Sequence, residues 1–167
     1  MSSSYQQGQF FLLPLNRTEY AVGLIARVPR RGGVLLGYFF GPRRTKAPDE
    51  STLNALTAAQ SVLACRFKDT ALIRSEWPLL GMFVRFDRSD WPVPAFHRFD
   101  GSTTYVPDNA TSDWRVEYSD DNLIVPVAER PAQKTDLTLA EDIAYDPVLL
   151  AQEVGQRVRG MVPTMGD

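Results

Sequence analysis

The chain has 167 residues, 44% of them hydrophobic and 23% charged, with a net charge of −2. That length sets one domain with room for an appendage, and that apolar content builds a core without a disulfide or metal staple. Eighteen basic residues against 20 acidic ones exclude the Lys/Arg excess on which non-specific nucleic-acid binding runs.

The opening MSSSYQQGQ lacks the basic region and apolar stretch of a signal peptide. No run approaches the roughly 18 apolar residues of a membrane span. The single cysteine, Cys65, rules out an internal disulfide and fits a reducing compartment. These features predict a cytoplasmic protein with no membrane partner.

Residues 9–15 and 19–28 read as paired strands joined at "NRT", where Asn16 tolerates left-handed geometry. In the second strand Tyr20, Val22, Leu24, Ala26 and Val28 share one face, and Ala21, Gly23, Ile25 and Arg27 the other. The first strand is apolar on both faces, so both are expected to be covered. "PRRGG" turns the chain, and "VLLGYFFG" (34–41) is a third strand. Gly23 and Gly37, each inside a strand, suggest bulges or close backbone approach and hence a strongly bent sheet.

Residues 51–63 form the best helix candidate, capped by Ser51, with Leu53, Leu56 and Leu63 as its apolar contacts. "ACRF" and "TALI" (64–73) read as a strand broken at Lys68-Asp69 and resumed. Leu80–Phe86 is a further strand, and 88–113 is Pro-rich and irregular. Residues 114–129 read as a hairpin in which "SDDN" is the turn and "LIVPV" the returning strand, with Pro126 limiting it to an edge. Asp146-Pro147 starts a terminal helix whose Leu150, Val154, Val158 and Met161 line one face. The expected fold class is α+β: a strongly bent antiparallel sheet or small open barrel with one packed helix, plus a C-terminal hairpin and helix.

One histidine and one cysteine are too few for a His-rich or Cys-rich metal site, which needs three or four such ligands. No cofactor is expected, and no HExxH, GxSxG, P-loop or GxGxxG is present. His97 is a candidate general base beside Asp90 or Asp100, against the plainer reading of a packed histidine. Cys65 reads as a buried inert thiol. Trp77, Trp91, Phe96 and Phe99 either line a small-molecule cleft or brace irregular loops, the second being commoner for tryptophans beside prolines. Arg27, Arg30, Arg31, Arg43, Arg44 and Lys46 would form a basic rim if their loops are neighbours. Asp108, Asp113, Glu117, Asp120 and Asp121 make a later segment of opposite sign. Charge separated in this way steers a charged partner. The candidate partner-binding residues are therefore those five acids with Arg43 and Arg44.

The series "GQFFLLPL", "EYAVGLIARV", "LLGYFF", "WPLLGMF" and "WPVPAFHR" resembles a bacterial family called immunity protein 26 / HocA-type phosphotriesterase. The matching positions are Gly8, Pro14, Tyr20, Gly23, Phe39, Trp77, Gly81, Pro94 and Phe96, with Gln9 standing where the family tends to have Asp. The resemblance covers residues 8 to 98, which suggests a β-rich core at 1–99 and a C-terminal extension at 100–167 packed on it. It implies an immunity protein of a polymorphic toxin system, which binds a cognate toxin in the cytoplasm and occludes its active or target-binding surface. The second half of the family name implies instead a hydrolase of organophosphate triesters. A small binding module of unrelated role is the third reading.

Overall fold

In the computed structural model the described residues are 5–31, 33–99 and 113–162. β1 (Gln9–Pro14) pairs antiparallel with β2 (Tyr20–Arg27), and β2 with β3 (Val34–Arg44). A short helix α1 (Glu50–Asn54) leads to β4 (Leu63–Lys68), the single turn α2 (Thr70–Ile73) and β5 (Leu79–Met82). Then come β6 (Phe96–Phe99), β7 (Asp113–Glu117), β8 (Ala128–Pro131), β9 (Ala144–Tyr145) and the helix α3 (Pro147–Val158). The large sheet has the order β5-β1-β2-β3-β4-β9, and β6-β7-β8 form a second sheet. Among the described strands β4 and β9 pair parallel and the other pairs are antiparallel. The fold class is α+β, as the sequence suggests. The large sheet ends at β5 and β9 and is not closed, so the barrel alternative gives way to an open sheet.

Both faces of the large sheet are covered, which explains why β1 is apolar throughout. On one face Phe11, Leu13, Ile25, Phe39, Cys65 and Phe67 pack under α2 and α3, which contribute Leu72, Leu150, Val154 and Val158. On the other, Phe10, Leu12, Val22, Leu24, Tyr38 and Phe40 pack against Trp91, Phe96, Val116, Tyr118 and Leu123. The strand glycines serve rings. A Cβ on Gly23 would lie 2.2 Å from Phe11 Cζ, and one on Gly37 would lie 2.7 Å from Phe67 Cε1.

The helix expected over 51–63 is broken into α1 and a 3-10 turn, Ala58–Gln60. Leu53 belongs to the second face of the sheet and Leu63 to the first, so no single rigid helix can deliver both. Asp49, not Ser51, caps α1, its Oδ1 accepting from Thr52 N at 2.8 Å. "TALI" is helical and not strand: Ile73 N donates to Asp69 O at 3.0 Å and Arg74 N to Thr70 O at 3.1 Å, the i to i−4 bonds of a helical turn. The turn at Asn16 works through its side chain, whose Oδ1 accepts from the backbone N–H of Thr18 and Glu19, each at 2.9 Å. Its φ is not left-handed. α3 starts as read, with Asp146 Oδ1 accepting from Leu149 N at 2.9 Å and Leu150, Val154 and Val158 buried.

Candidate partner-binding surface

Periodicity places Arg27 on the face of β2 that carries Ala21 and Ile25. A register shift between Ile25 and Arg27 moves it. Two residues of β2 there oppose one of β3, and such a bulge re-aims the side chain. Arg27 therefore joins the second face, beside Tyr38, Tyr118 and Pro92. It is only 2% exposed. A buried guanidinium needs partners, and Arg27 has three: its Nε donates to Asp120 Oδ1 at 2.6 Å, Nη1 to Ala26 O at 2.7 Å and Nη2 to Arg88 O at 3.1 Å. Burial of the Tyr38 hydroxyl, which donates to Pro92 O, pushes that phenol up to about 12.

Asp120 thereby anchors the loop that follows β7. Asn122 fixes the next step, its Oδ1 accepting from Ile124 N at 2.9 Å and Val125 N at 3.0 Å. Leu123 is fully buried, and its carbonyl accepts from Arg66 Nη1 at 2.8 Å. Val127 N donates to Glu117 O at 2.8 Å, closing the loop. The result is an apolar run held from below and turned outward: Ile124 is 50% exposed, Val125 59% and Val127 63%. Its composition predicts a returning strand. The strand that pairs with β7 is instead the polar β8, with Val116 opposite Glu129 and Trp114 opposite Pro131. Asn122 captures the amides that a ladder at Ile124 and Val125 would need. The sequence signal was Pro126 inside the run, directly after an Asp-Asp-Asn turn.

A second ionic group supports the loop from inside. Arg66 of β4 is buried, with Nη2 2.6 Å from Asp142 Oδ1 and its guanidinium 4.1 Å above the Tyr118 ring. The Tyr118 hydroxyl donates to the same Asp142 oxygen at 2.8 Å. Burial first, and that hydrogen bond second, push the Tyr118 phenol up to about 12. On the outer side of the second sheet Arg115 and Arg130 stand opposite each other. Asp136 accepts from both, at 3.3 and 2.8 Å, and from Gln133 N at 2.8 Å. These bonds, the backbone one foremost, hold its carboxyl below the usual carboxylate range.

The acids singled out in the sequence do not form one acidic face. Asp108 lies outside the described residues. Asp113 faces His97, with Oδ2 3.2 Å from Nε2, and Glu117 accepts from Arg115 at 2.7 Å. Asp120 is tied to Arg27, and Asp121 lies 3.9 Å from Arg88 and is 82% exposed. Arg43 pairs with Glu19 at 3.7 Å. The basic rim is also corrected. Arg44 lies opposite Tyr20 at the start of β2, whereas Arg27 is at its end. At ~3.3 Å per residue the two ends are about 23 Å apart.

The candidate catalytic groups are separated too. Cys65 is buried among the residues under α3, and burial pushes its thiol pKa up. His97 lies on β6 in the other layer, with Asp113 and not Asp90 as a carboxylate neighbour, and Asp100 lies outside the described residues. Trp77 stacks on Phe11 under one face, and Trp91 meets Tyr38 and Phe40 under the other. Both tryptophans brace the core. Among the described residues no three His, Cys, Asp or Glu side chains converge as a metal site, and no helix is long and apolar enough to cross a membrane.

A family model described as immunity protein 26 matches residues 6–105, more than half of the chain. The chain belongs to the immunity protein 26 family. The phosphotriesterase association drawn from the resemblance has no support in that match. Neither curated proteins nor solved structures give a match. Several positions of the immunity protein 26 resemblance build the scaffold. Gly8 takes a left-handed φ of +85° and donates its N–H to Ile25 O at 2.7 Å, a conformation open to glycine. Gly23 admits the Phe11 ring, and Phe39, Trp77 and Phe96 are core. The loop at 119–127, β8 and α3 lie beyond the residues matched to the family.

Proposed function

We propose that this immunity protein binds one cognate toxin in the cytoplasm of the producing cell and occludes its active or target-binding surface. The contact is the loop from Ser119 to Val127 and the neighbouring edge strand β8. What supports this is the fixed exposure of Ile124, Val125 and Val127 beside the largely exposed Asp121. An exposed aliphatic group that is already ordered loses little conformational entropy on binding, and a few such anchors supply most of an interface's affinity. The exposed carboxylate of Asp121 favours a basic group on the partner and speeds encounter with it. In this reading residues 1–99 form the shared core and 100–167 an extension that carries the contact loop.

The test is co-purification with the product of the adjacent toxin gene, followed by variants. Ile124→Asp and Val125→Asp should weaken binding by about tenfold or more each, equivalent to about 1.4 kcal/mol. Asp121→Lys should slow association and reduce its salt dependence while leaving the melting temperature unchanged. Wild-type affinity in all three variants would remove this surface. Failure to protect against any adjacent effector would remove the toxin reading itself.

A further inference from the structure

On the helix side of the large sheet, α3 passes the β1–β2 turn and leaves a cleft of about 250 Å³. Gly155 and Leu15 line it, with Arg43 from the end of β3 and Arg159 from the end of α3. The cleft is far from the 119–127 loop, which contacts the opposite face of the sheet.

Gly155 occupies the middle of α3, where glycine is the poorest helix former after proline. No neighbour requires it. A Cβ there would meet only Leu15 Cδ2, at an ordinary 3.9 Å, and its φ is not left-handed. The residue therefore keeps space open. Arg43 is under-used: its Nε is buried without a hydrogen-bond partner among the described residues, and Nη1 is 3.7 Å from Glu19, too far for a hydrogen bond. Glu19 is already engaged by Asn16 Nδ2 at 2.6 Å. Arg159 is exposed and makes no ion pair among the described residues.

We infer that this cleft is a binding site for a single carboxylate, held by Arg43 and Arg159 over the open position at Gly155. Two guanidiniums against one resident carboxylate leave one net positive charge, which balances a monoanion. Glu19 at the wall opposes a dianion such as phosphate. The volume lies below the ~300 Å³ lower bound of drug-sized sites, which fits an acidic side chain or a short carboxylic acid.

The full chain, labelled with nitrogen-15, is titrated with N-acetyl-Gly-Glu-Gly-amide, its Gln counterpart, acetate and inorganic phosphate, following the Arg43 Nε–Hε resonance. The Glu peptide or acetate should shift that resonance saturably, and the Gln peptide should not. Tighter binding of the Glu peptide than of acetate assigns the carboxylate to a protein partner, and the reverse assigns it to a free acid. Arg43→Gln and Gly155→Leu should each weaken binding by about tenfold, and Gly155→Leu should leave the melting temperature unchanged or raised. Equal response to the Glu and Gln peptides, tighter binding of phosphate, or full binding by Gly155→Leu would overturn the assignment. The assay contains no toxin, so its outcome is independent of toxin binding.

Discussion

The substitution Gly23→Ala separates two explanations of the strand glycines. Gly23 lies opposite Phe11 in the β1–β2 ladder. A Cβ there would stand 2.2 Å from Phe11 Cζ and 2.6 Å from Cε1 and Cε2. Carbon atoms in favourable contact are about 3.5–4.0 Å apart, so the ring must retreat by about 1.3 Å or more. It is surrounded by other rings: Trp77 stacked at 5.5 Å, and Phe39 and Phe67 each at 5.8 Å between centroids. Overpacking of this kind costs about 1–3 kcal/mol, and the rigidity of the ring cluster points to the upper half of that range. Alanine's advantage over glycine in a strand returns less than about 1 kcal/mol. The net expectation is a loss of about 2 kcal/mol. With a urea m-value of about 2 kcal/mol/M, the midpoint falls by about 1 M at unchanged slope. Tryptophan fluorescence follows the transition through Trp77. In a Phe11→Leu background the same substitution should cost at least about 1 kcal/mol less, because the colliding ring is gone. If Gly23 served only to bend the strand, the cost would be the same in both backgrounds. That result, or a loss below about 0.5 kcal/mol, would refute the packing argument.

Asp142→Asn strands the buried guanidinium of Arg66, whose partner carboxylate is 3% exposed, and should cost about 3–5 kcal/mol by urea unfolding. The double variant Arg66→Met/Asp142→Leu should recover much of that loss. Asp136 has a folded pKa below its unfolded value. Its contribution is complete above the ordinary carboxylate range, near pH ~4, and is lost as pH falls through the lower folded value. Asp136→Asn should therefore flatten the acid limb of a melting-temperature profile, and an unchanged limb would show that other carboxylates govern it. The Cys65 thiol, buried and with its pKa pushed up, should react with a thiol reagent only at the rate of global unfolding. Rapid labelling of the native protein would contradict its placement.

The parts of the fold that local chemistry decides could be read in advance. β1, β2 and β3 each carry enough apolar residues to declare themselves, and Asp146-Pro147 declares α3. The failures came where a distant surface decides. Leu53, Leu56 and Leu63 have helical spacing, yet Leu53 and Leu63 are drawn to opposite faces of one sheet. A single bulge between Ile25 and Arg27 turns a residue assigned to one face onto the other. "LIVPV" has strand composition, but Asn122 takes its amides and the polar "AERP" takes its place in the ladder. In the candidate site, charge alone does not reveal pairing. Asp113, Glu117 and Asp120 read as part of an acidic segment, and each has a positively charged or imidazole neighbour within the chain.

Those internal pairings bear on where selectivity for a toxin would reside. Gly8, Gly23, Phe39, Trp77 and Phe96 are five of the nine positions that carry the resemblance, and these five act in backbone geometry or core packing. Residues of this kind describe a scaffold and are silent about the partner. Changes at these positions should lower stability, and toxin binding should fall only as the folded fraction falls. Changes at Asp121, Ile124 and Val125, which are exposed, should lower binding at constant stability. The two classes can be told apart by plotting affinity against unfolding free energy for one set of variants. If the loop variants fall on the same line as the core variants, the loop acts through folding and the contact lies elsewhere.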